Sequence, residues 1–267
     1  MNLKILPALV AGFLLAGTTP CLAWPGSDCA FKAERTAAVD LAGARSILIR
    51  MGAGDLKVRG LTHGSEVKAH GKACAPSQAL LDQTTLKVVR EGDVVHVSSQ
   101  IPEGGKTHGL LFGNSSPYID VDLDLPAEVP IALEDTSGDL VVTHIAGGSI
   151  HDSSGDLEVD DVAGDLDVVD SSGDIRIGDV RGKLTLEDSS GDMNLRNVHG
   201  DVLVKVDSSG DIRIVDAGAN VTIDRDSSGD VDVDGVAGNF TLGSKGSGDV
   251  NVHGVHGKVS IPDYKKD

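Results

Sequence analysis

Short runs in which apolar and polar residues alternate recur between residues 126 and 262. In one copy Ile175 and Ile177 alternate with polar residues, and Leu184 and Leu186 do the same a few positions later. An alternation with a period of two is typical of half-buried strands, whose successive side chains point to opposite faces. Each copy therefore predicts two principal short strands with inward aliphatic side chains. The inward set predicted for the last copy is Val250, Val252, Val255, Val259 and Ile261.

A Ser-Gly-Asp core precedes the strands of each copy. The spacing between its successive glycines is 17, then 18 twice, then 19 three times. A fixed period is the signature of a repeat architecture in which each unit buries its apolar face against its neighbours. We therefore predict an all-β fold, a single-stranded parallel β-helix (β-solenoid) of about 18–19 residues per coil, right-handed, with coils about 4.8 Å apart. The glycines are Gly138, Gly155, Gly173, Gly191, Gly210, Gly229 and Gly248.

The chain before this array is rich in strand patterns but lacks the strict period. A proline followed by Ala79-Leu80-Leu81 predicts one short helix. We expect residues 24–125 to form an irregular, β-rich N-terminal part of the solenoid, and residues 126–262 to form its regular repeats. The strands predicted in the N-terminal part cover residues 46–51, 65–74, 86–89, 94–98 and 119–125, the third and fourth as a hairpin.

Two segments are predicted to lie outside the strands. Residues 103–117 are rich in Gly, Ser and Asn, which predicts a surface loop with an apolar Leu-Leu-Phe triplet at residues 110–112. Residues 263–267 form a polar tail after Pro262. Because proline lacks an N–H donor and the tail is charged, we expect the C-terminal edge to resist pairing with a second chain and the protein to be a monomer.

The N-terminus has the pattern of a secretory signal peptide. Lys4 precedes an apolar run over residues 5–17, and small residues lead to Ala23. We expect cleavage near Ala23 to remove residues 1–23, which would leave a periplasmic or secreted protein that is not integral to the membrane. The alternative is an uncleaved membrane anchor, for which the apolar run is short against the about 20 residues that a bilayer requires.

Composition narrows the class of partner. The formal net charge is −18, which disfavours nucleic acids and anionic membrane surfaces because both attract Lys and Arg. Only 3% of the residues are aromatic, so the core must consist of Val, Ile and Leu, and few rings are available to stack on a sugar.

Two cysteines, Cys29 and Cys74, remain after the expected cleavage. In an oxidising compartment two cysteines most simply form one disulfide, which here ties the mature N-terminus to the first strands. Two free thiols are the alternative. No Cys-x-x-Cys spacing and no neighbouring histidine pair supports a metal or catalytic role.

Stacking of the copies places the repeated aspartates in two columns. The aspartate after each glycine precedes an inward aliphatic residue, so the alternation places it outward at a corner. At about 4.8 Å, like charges repel by about 1 kcal/mol or less in water and by several times more at a protein surface, so the columns require compensation. The first column is Asp139, Asp156, Asp174, Asp192, Asp211, Asp230 and Asp249; the second is Asp135, Asp152, Asp170, Asp188, Asp207 and Asp226, followed by Lys245.

Three interpretations of these aspartates are open. In the first, Asp-Ser-Ser-Gly is a turn whose Asp and Ser oxygens accept backbone N–H groups, and it needs no cofactor. In the second, the columns form a cation ladder, with Ca²⁺ as the candidate because its sites use about 6–8 oxygens. The chain lacks the doubled glycines of the calcium-binding nonapeptide β-roll. In the third, the carboxylates form a face that binds or cleaves glycans.

An enzymatic role has weak support in the sequence. A glycosidase needs one protonated and one ionised carboxylate across a cleft, whereas these acids are repeated. His253 and His256 are three residues apart, which does not place both on one face of a strand. No nucleophile elbow, phosphate loop or zinc spacing occurs, so we predict no catalytic residue. The alternative is a carbohydrate-active β-helix enzyme, with residues 103–117 as the candidate wall of its cleft.

The repeated pattern Ser-Gly-Asp-apolar-x-apolar, with Val-x-Gly at the second corner, follows Leu125-Pro126. Together with the signal peptide it resembles the bacterial "putative adhesin" domain-of-unknown-function family of β-strand-repeat envelope proteins. The resemblance covers residues 45–262 and rests on the number of copies. It implies a parallel β-helix outside the inner membrane and carries over no catalytic residue. We accordingly expect an exported, non-enzymatic scaffold or adhesin-like binding surface in the cell envelope, with an envelope protein or a glycan as partner.

Overall fold

The computed structural model describes residues 29–102 and 116–262 of the 267-residue chain. The predicted all-β solenoid is confirmed, because in each copy the chain passes from one large sheet to the other and back, and eleven strands stack in each sheet. The predicted signal peptide at residues 1–23, most of the predicted loop (residues 103–115, with the Leu-Leu-Phe triplet) and the polar tail at residues 263–267 lie outside the described residues.

Strands in the repeats have at most six residues, and most of those that precede them are longer. The N-terminal part contains β1 (Phe31–Asp40), β2 (Ser46–Arg50), β3 (Leu56–Leu61), β4 (Glu66–Ala75), α1 (Gln78–Gln83), β5 (Thr85–Glu91), β6 (Val94–Gln100) and β7 (Tyr118–Pro126). The repeats contain β8 (Ile131–Glu134), β9 (Leu140–Ile145), β10 (Gly148–His151), β11 (Leu157–Val162), β12 (Leu166–Val169), β13 (Ile175–Val180), β14 (Leu184–Glu187), β15 (Met193–Val198), β16 (Val202–Val206), β17 (Ile212–Ala217), β18 (Val221–Ile223), β19 (Asp226–Ser228), β20 (Val231–Val236), β21 (Phe240–Leu242), β22 (Lys245–Ser247), β23 (Val250–Val255) and β24 (Val259–Ser260).

Two sheets form the body of the solenoid. The first sheet has the order β1-β4-β7-β3-β9-β11-β13-β15-β17-β20-β23, and the second has the order β24-β21-β18-β16-β14-β12-β10-β8-β2-β6-β5. Neighbouring strands are parallel from β3 to β23 in the first sheet and from β2 to β24 in the second. Strands β19 and β22 form a short third pair near the C-terminal end.

Equivalent residues of successive copies lie opposite each other. Ile175 pairs with Leu157 on one side and with Met193 on the other. The inward aliphatic side chains therefore stack in columns between the two sheets, where Ile175 and its equivalents in all copies but the last are fully buried. Burial of one such side chain stabilises the fold by about 1.5–3 kcal/mol before the loss of chain entropy is counted.

The N-terminal end also contains antiparallel pairs, of which the β5–β6 hairpin is predicted from the sequence and the pairs of β4 are not. Strand β4 pairs antiparallel with both β1 and β7, and β5 forms an antiparallel hairpin with β6. Helix α1 lies in the segment with the helix pattern and begins after Ser77, whose hydroxyl accepts the N–H of Leu80 at 3.3 Å. Together these elements cover the N-terminal end of the core, with Leu81 and Leu86 buried among its side chains.

The C-terminal end is more open. Val250, Val252 and Val255 of the last copy are only partly buried, and Val259 and Ile261 are 50% and 38% exposed. Within the described part of the chain no later coil packs on this copy, so its inward side chains are incompletely covered. Among residues 29–102 and 116–262, no helix has the length and hydrophobicity that a membrane crossing requires.

Candidate functional site

The aspartate that follows each corner glycine lies at the surface of the solenoid. Its Oδ1 accepts the backbone N–H of the equivalent aspartate in the next copy, as between Asp174 and Asp192 (3.2 Å) and between Asp230 and Asp249 (2.8 Å). Hydrogen bonds from N–H groups favour the ionised carboxylate, so they offset part of the repulsion along the column. We call Asp139, Asp156, Asp174, Asp192, Asp211, Asp230 and Asp249 the outer aspartate column.

The corner itself is built for close stacking of coils. Gly191 has a φ of 139°, and a Cβ at this position would lie 1.8 Å from the carbonyl oxygen of Gly173. The hydroxyl of Ser190 donates to the carbonyl of Ser171 at 3.2 Å, so this serine side chain supplies a donor to the preceding copy where the turn interpretation expected an acceptor. The serines and glycines of the corner therefore join consecutive coils.

The second set of aspartates lies inside the solenoid. Asp170 comes two residues after the buried Val168, so the alternation of the second sheet carries its side chain inward. Its N–H continues the backbone ladder by donating to the carbonyl of Glu187 at 2.9 Å. The exposed fraction of each of these aspartates is at most 4%. We call Asp135, Asp152, Asp170, Asp188, Asp207 and Asp226 the inner aspartate column.

Hydrogen-bond donors are scarce around the inner aspartate column. Both carboxyl oxygens of Asp135, Asp170 and Asp207 have no hydrogen-bond partner among the described residues. In Asp152 and Asp188 only Oδ2 lacks such a partner. Oδ1 of Asp152 accepts the backbone N–H groups of Ser153 and Ser154, and Oδ1 of Asp188 accepts that of Ser190. A buried carboxylate loses its hydration, and without donors this loss is not compensated.

Burial therefore raises the pKa values of the inner column. It raises the pKa of Asp135, Asp170 and Asp207 to about 7. The negative charge of neighbouring column members adds to the shift, and backbone N–H groups one or two residues further along the chain act against it. Burial also raises the pKa of Asp188 to about 6 and raises that of Asp152, both against the effect of backbone N–H groups of the following serines. Asp135, Asp170, Asp188 and Asp207 consequently titrate in or close to the neutral range, where ordinary aspartates are fully ionised.

Lys245 occupies the next position after Asp226 and ends the inner column. Its Nζ lies 2.7 Å from Oδ2 of Asp226, and both side chains are fully buried. The ammonium group also donates to the carbonyl oxygens of Gly229 and Ser247. Burial raises the pKa of Asp226 while Lys245 lowers it, so the ion pair favours the ionised form of this last aspartate.

The outer face of the first sheet carries charges of both signs. Arg176 bridges Asp156 and Asp174 of the outer column at 3.3 and 2.9 Å. The guanidinium group of Arg196 passes over the intervening copy and lies 2.7 Å from Oδ1 of Asp160. The residue between them is Gly178, and a side chain there would collide with the guanidinium group. Because such pairs are exposed, each contributes about 0–1 kcal/mol, and their main effect is to balance the local charge of an acidic surface.

The second sheet carries an open groove of about 380 Å³ on its outer face. Its polar floor is fixed by a ladder, in which Asn220 donates to Oδ1 of Asp201 at 2.9 Å and accepts the N–H of Asn239 at 3.0 Å. The lining combines amides and hydroxyls with one aliphatic patch and one pair of opposite charges. The groove is lined by Lys183, Asp201, Val202, Leu203, Asn220, Thr222, Asn239 and Thr241.

Residues 29–102 and 116–262 contain no group of three or more His, Cys, Asp or Glu side chains placed to hold a metal ion. His253 and His256 lie in the exposed last copy, the first in β23 and the second just after it. A different histidine, His144, has its Nδ1 2.5 Å from Oδ2 of Asp161, and both residues have positive φ. No repeat motif marks this pair, because histidine occurs at that position in one copy only.

Cys29 and Cys74 form a disulfide with a Cα–Cα distance of 5.5 Å. Cys29 lies just before β1 and Cys74 within β4, so the bond fastens the start of the described chain to the antiparallel strands at the N-terminal end. This position is remote along the stack from the groove and from Lys245, and the bond is therefore a structural element of the N-terminal end.

Comparison with known proteins gives one family match. The family model described as Toastrack DUF4097 matches residues 96–261, which is more than half of the chain. No curated protein matches the chain.

Several solved structures are similar to the chain at low identity. They include a "putative lipid binding protein" from Parabacteroides distasonis, 16% identical, covering 88% of this chain and 96% of that one with a TM-score of 0.45. A "putative adhesin" from Bacteroides fragilis is 15% identical and covers 85% of this chain and 96% of that one, with a TM-score of 0.40. A "putative cell adhesion protein" from Clostridium sporogenes is 16% identical and covers 89% of this chain and 100% of that one, with a TM-score of 0.26.

Proposed function

This chain belongs to the Toastrack DUF4097 family, and from that premise we propose that it is an exported, non-enzymatic β-solenoid that acts as a scaffold or adhesin-like binding surface in the cell envelope. The observation that carries the proposal is the unbroken stack of coils, whose repeated acids are engaged in holding one copy to the next. A residue that recurs in every coil with the same backbone partner has a structural role in the stack. A catalytic group, by contrast, occurs at one place in the chain.

Export is supported by the N-terminal sequence and by the disulfide. The apolar run at residues 5–17 and the small residues before Ala23 form the signal pattern. Disulfides form and persist in oxidising compartments such as the bacterial periplasm and the cell exterior, which agrees with the bond between Cys29 and Cys74.

The groove on the second sheet is the surface that we propose for contact with a partner. It offers amide and hydroxyl groups at a regular spacing along the stack, and its side chains are held by the Asp201-Asn220-Asn239 ladder. A rigid polar surface binds with little loss of side-chain entropy, since its groups are already ordered. The partner is an envelope protein or a glycan.

The experiment is a pull-down from envelope extract and a glycan array, each with three versions of the full chain. Thr222→Glu places a carboxylate in the groove, and the matched control Asn194→Glu places one on the exposed outer face of the first sheet between Arg176 and Arg213. Both variants are first shown to fold by circular dichroism.

We expect Thr222→Glu to lose a partner that wild type and Asn194→Glu retain. Equal retention by all three proteins would reject the groove as the contact surface. Turnover of a glycan that disappears when one aspartate, but not its column neighbours, becomes asparagine would reject the non-enzymatic function itself.

A further inference from the structure

The inner aspartate column places six carboxyl groups in register inside the solenoid. Asp207 and Asp226 are partners in a parallel bridge, and Asp226 pairs in turn with Lys245. Parallel strands lie about 4.8 Å apart, so each carboxyl group has another one as its neighbour along the axis. On the inward side the column adjoins fully buried aliphatic residues such as Val168 and Leu186. Like charges at this distance and depth cannot all remain ionised.

The charged groups that face the column do not neutralise it. Three aspartates at the solenoid corner add negative charge and so raise the pKa values of inner aspartates. They are Asp55 beside Asp135, Asp139 beside Asp152 and Asp211 beside Asp226. Within the described residues Lys245 is the one cation that faces the column, and its ammonium group contacts the last aspartate. One ammonium group therefore serves six carboxyl groups, and it is placed at one end of the column.

The inner aspartate column lacks hydrogen-bond donors rather than acceptors. Asp135, Asp170 and Asp207 have two unpartnered oxygens each, so acceptors are in excess and donors are lacking. A protonated carboxyl group supplies one O–H donor and keeps an acceptor, and it can bond to the carboxyl group of the next coil. Proton binding thus removes the buried charge and provides the absent donor in one step. A neutral chain of carboxyl groups would then run along the axis towards Lys245.

We propose that the inner aspartate column binds protons when the chain folds, so that neighbouring buried carboxyl groups share protons and the solenoid is more stable in mildly acidic than in neutral or alkaline solution. Each event transfers one proton from solvent to a carboxylate oxygen, with no other reactant. The ligand is the hydrogen ion, and the site is the column from Asp135 to Asp207 with its ionised end at Asp226 and Lys245.

The sign of the pH dependence follows from the direction of the pKa shifts. An aspartate whose pKa is about 7 in the folded chain and 3.8 when unfolded binds a proton in the folded state over the range between these values. Its contribution to stability is therefore fully present below pH 3.8, declines as the pH rises, and is lost above about pH 7. Each proton taken up on folding changes the ratio of folded to unfolded chain by about tenfold per pH unit in that window.

The test is urea unfolding of the disulfide-bonded chain, followed by circular dichroism at several pH values. Asp170→Asn replaces one inner carboxyl group by a neutral side chain of the same shape. The matched control is Asp192→Asn, in the exposed outer column, where the amide oxygen can still accept the N–H of Asp211. Titrating groups remote from the substitution are common to all three proteins, so the difference between Asp170→Asn and wild type reports Asp170 together with its coupled neighbours Asp152 and Asp188.

The quantity to compare is a quotient, the folded-to-unfolded ratio of wild type divided by that of the variant. For Asp170→Asn we expect this quotient to fall by about one to two orders of magnitude between about pH 5 and about pH 8. The same quotient for Asp192→Asn should vary by less than about threefold. A quotient for Asp170→Asn that is flat with pH, or that rises, would overturn the proposal.

Infrared spectroscopy of wild type makes the test independent of whether Asp170→Asn folds. Protonated carboxyl groups have a C=O stretch that carboxylates lack, and we expect this band in the folded protein at about pH 6, where exposed aspartates are ionised. Elemental analysis of the same dialysed sample identifies the competing occupant. Absence of the band together with stoichiometric sodium, potassium or calcium would replace protons by metal cations and overturn the proposal.

Discussion

Replacing Lys245 by methionine tests whether the last position of the inner column carries a required positive charge. Methionine keeps much of the length of the lysine side chain and removes its ammonium group. In the wild type this group lies 2.7 Å from Asp226, and both side chains are 0% exposed. The substitution therefore leaves a carboxylate in the interior without its counter-ion, and it removes the donor to Gly229 and Ser247.

The size of the effect follows from this burial. Removing one partner of a fully buried ion pair costs about 3–5 kcal/mol, because the remaining charge is neither hydrated nor paired. For a chain of this size 1 kcal/mol corresponds to about 2–4 °C, so the melting temperature should fall by about 6–20 °C. Because each coil packs mainly on its two neighbours, amide hydrogen exchange should increase first in β20 to β24.

The effect of Lys245→Met should also depend on pH. Burial already raises the pKa of Asp226, and loss of the ammonium group raises it further, so in mildly acidic solution this aspartate can be neutralised by a proton. The loss of stability should therefore be larger at about pH 8 than at about pH 5. Adding Asp226→Asn to the variant should restore part of the stability at the higher pH.

The assay is thermal unfolding by circular dichroism at both pH values, with Lys258→Met as control because Lys258 is an exposed lysine of the last copy. We expect Lys258→Met to stay close to wild type. A loss for Lys245→Met no larger than that for Lys258→Met, or equal at both pH values, would refute the account of Lys245 as the counter-ion of the column.

Three further perturbations test other parts of the structure. Gly191→Ala should destabilise the fold by more than about 2 kcal/mol in urea unfolding, because its Cβ would lie 1.8 Å from a carbonyl oxygen, whereas Gly64→Ala, with open space around it, should change stability by less than about 0.5 kcal/mol. Cys74→Ser should lower the unfolding free energy by about 4 kcal/mol in the chain-entropy description of a 45-residue separation, and a change below about 1 kcal/mol would contradict it. The melting temperature should be the same in excess chelator and in millimolar calcium; a rise with calcium that Asp192→Asn abolishes would establish a cation ladder on the outer column.

Much of the fold can be predicted from the sequence because the repeat imposes it. The period-two alternation identifies the buried side chains at Leu166 and Val168, and the spacing of the glycines fixes one coil per copy. The same alternation continues to Asp170, two residues after Val168, and it was the available signal for the inner column. The repeat alone places these acids in a column, and their burial appears only in the structure.

Other features could not be found in this way. The antiparallel pairing of β1 with β4 joins residues up to 44 positions apart, and no local pattern distinguishes it from a parallel arrangement. Contacts across copies, such as that of Arg196 with Asp160, depend on a glycine in the copy between them. The incomplete burial of Val259 is a property of the end of the stack, since the residue has the same pattern as its buried equivalents.

The most direct test of the acid column is a count of protons during refolding. The chain, unfolded in urea with its disulfide intact, is diluted into weakly buffered solution near pH 6, and proton uptake is followed with a pH-sensitive dye. With four inner aspartates at pKa values of about 6–7, we expect uptake of about one to four protons per chain. No uptake, or net release of protons on folding, would contradict a column of carboxyl groups that is neutralised inside the solenoid.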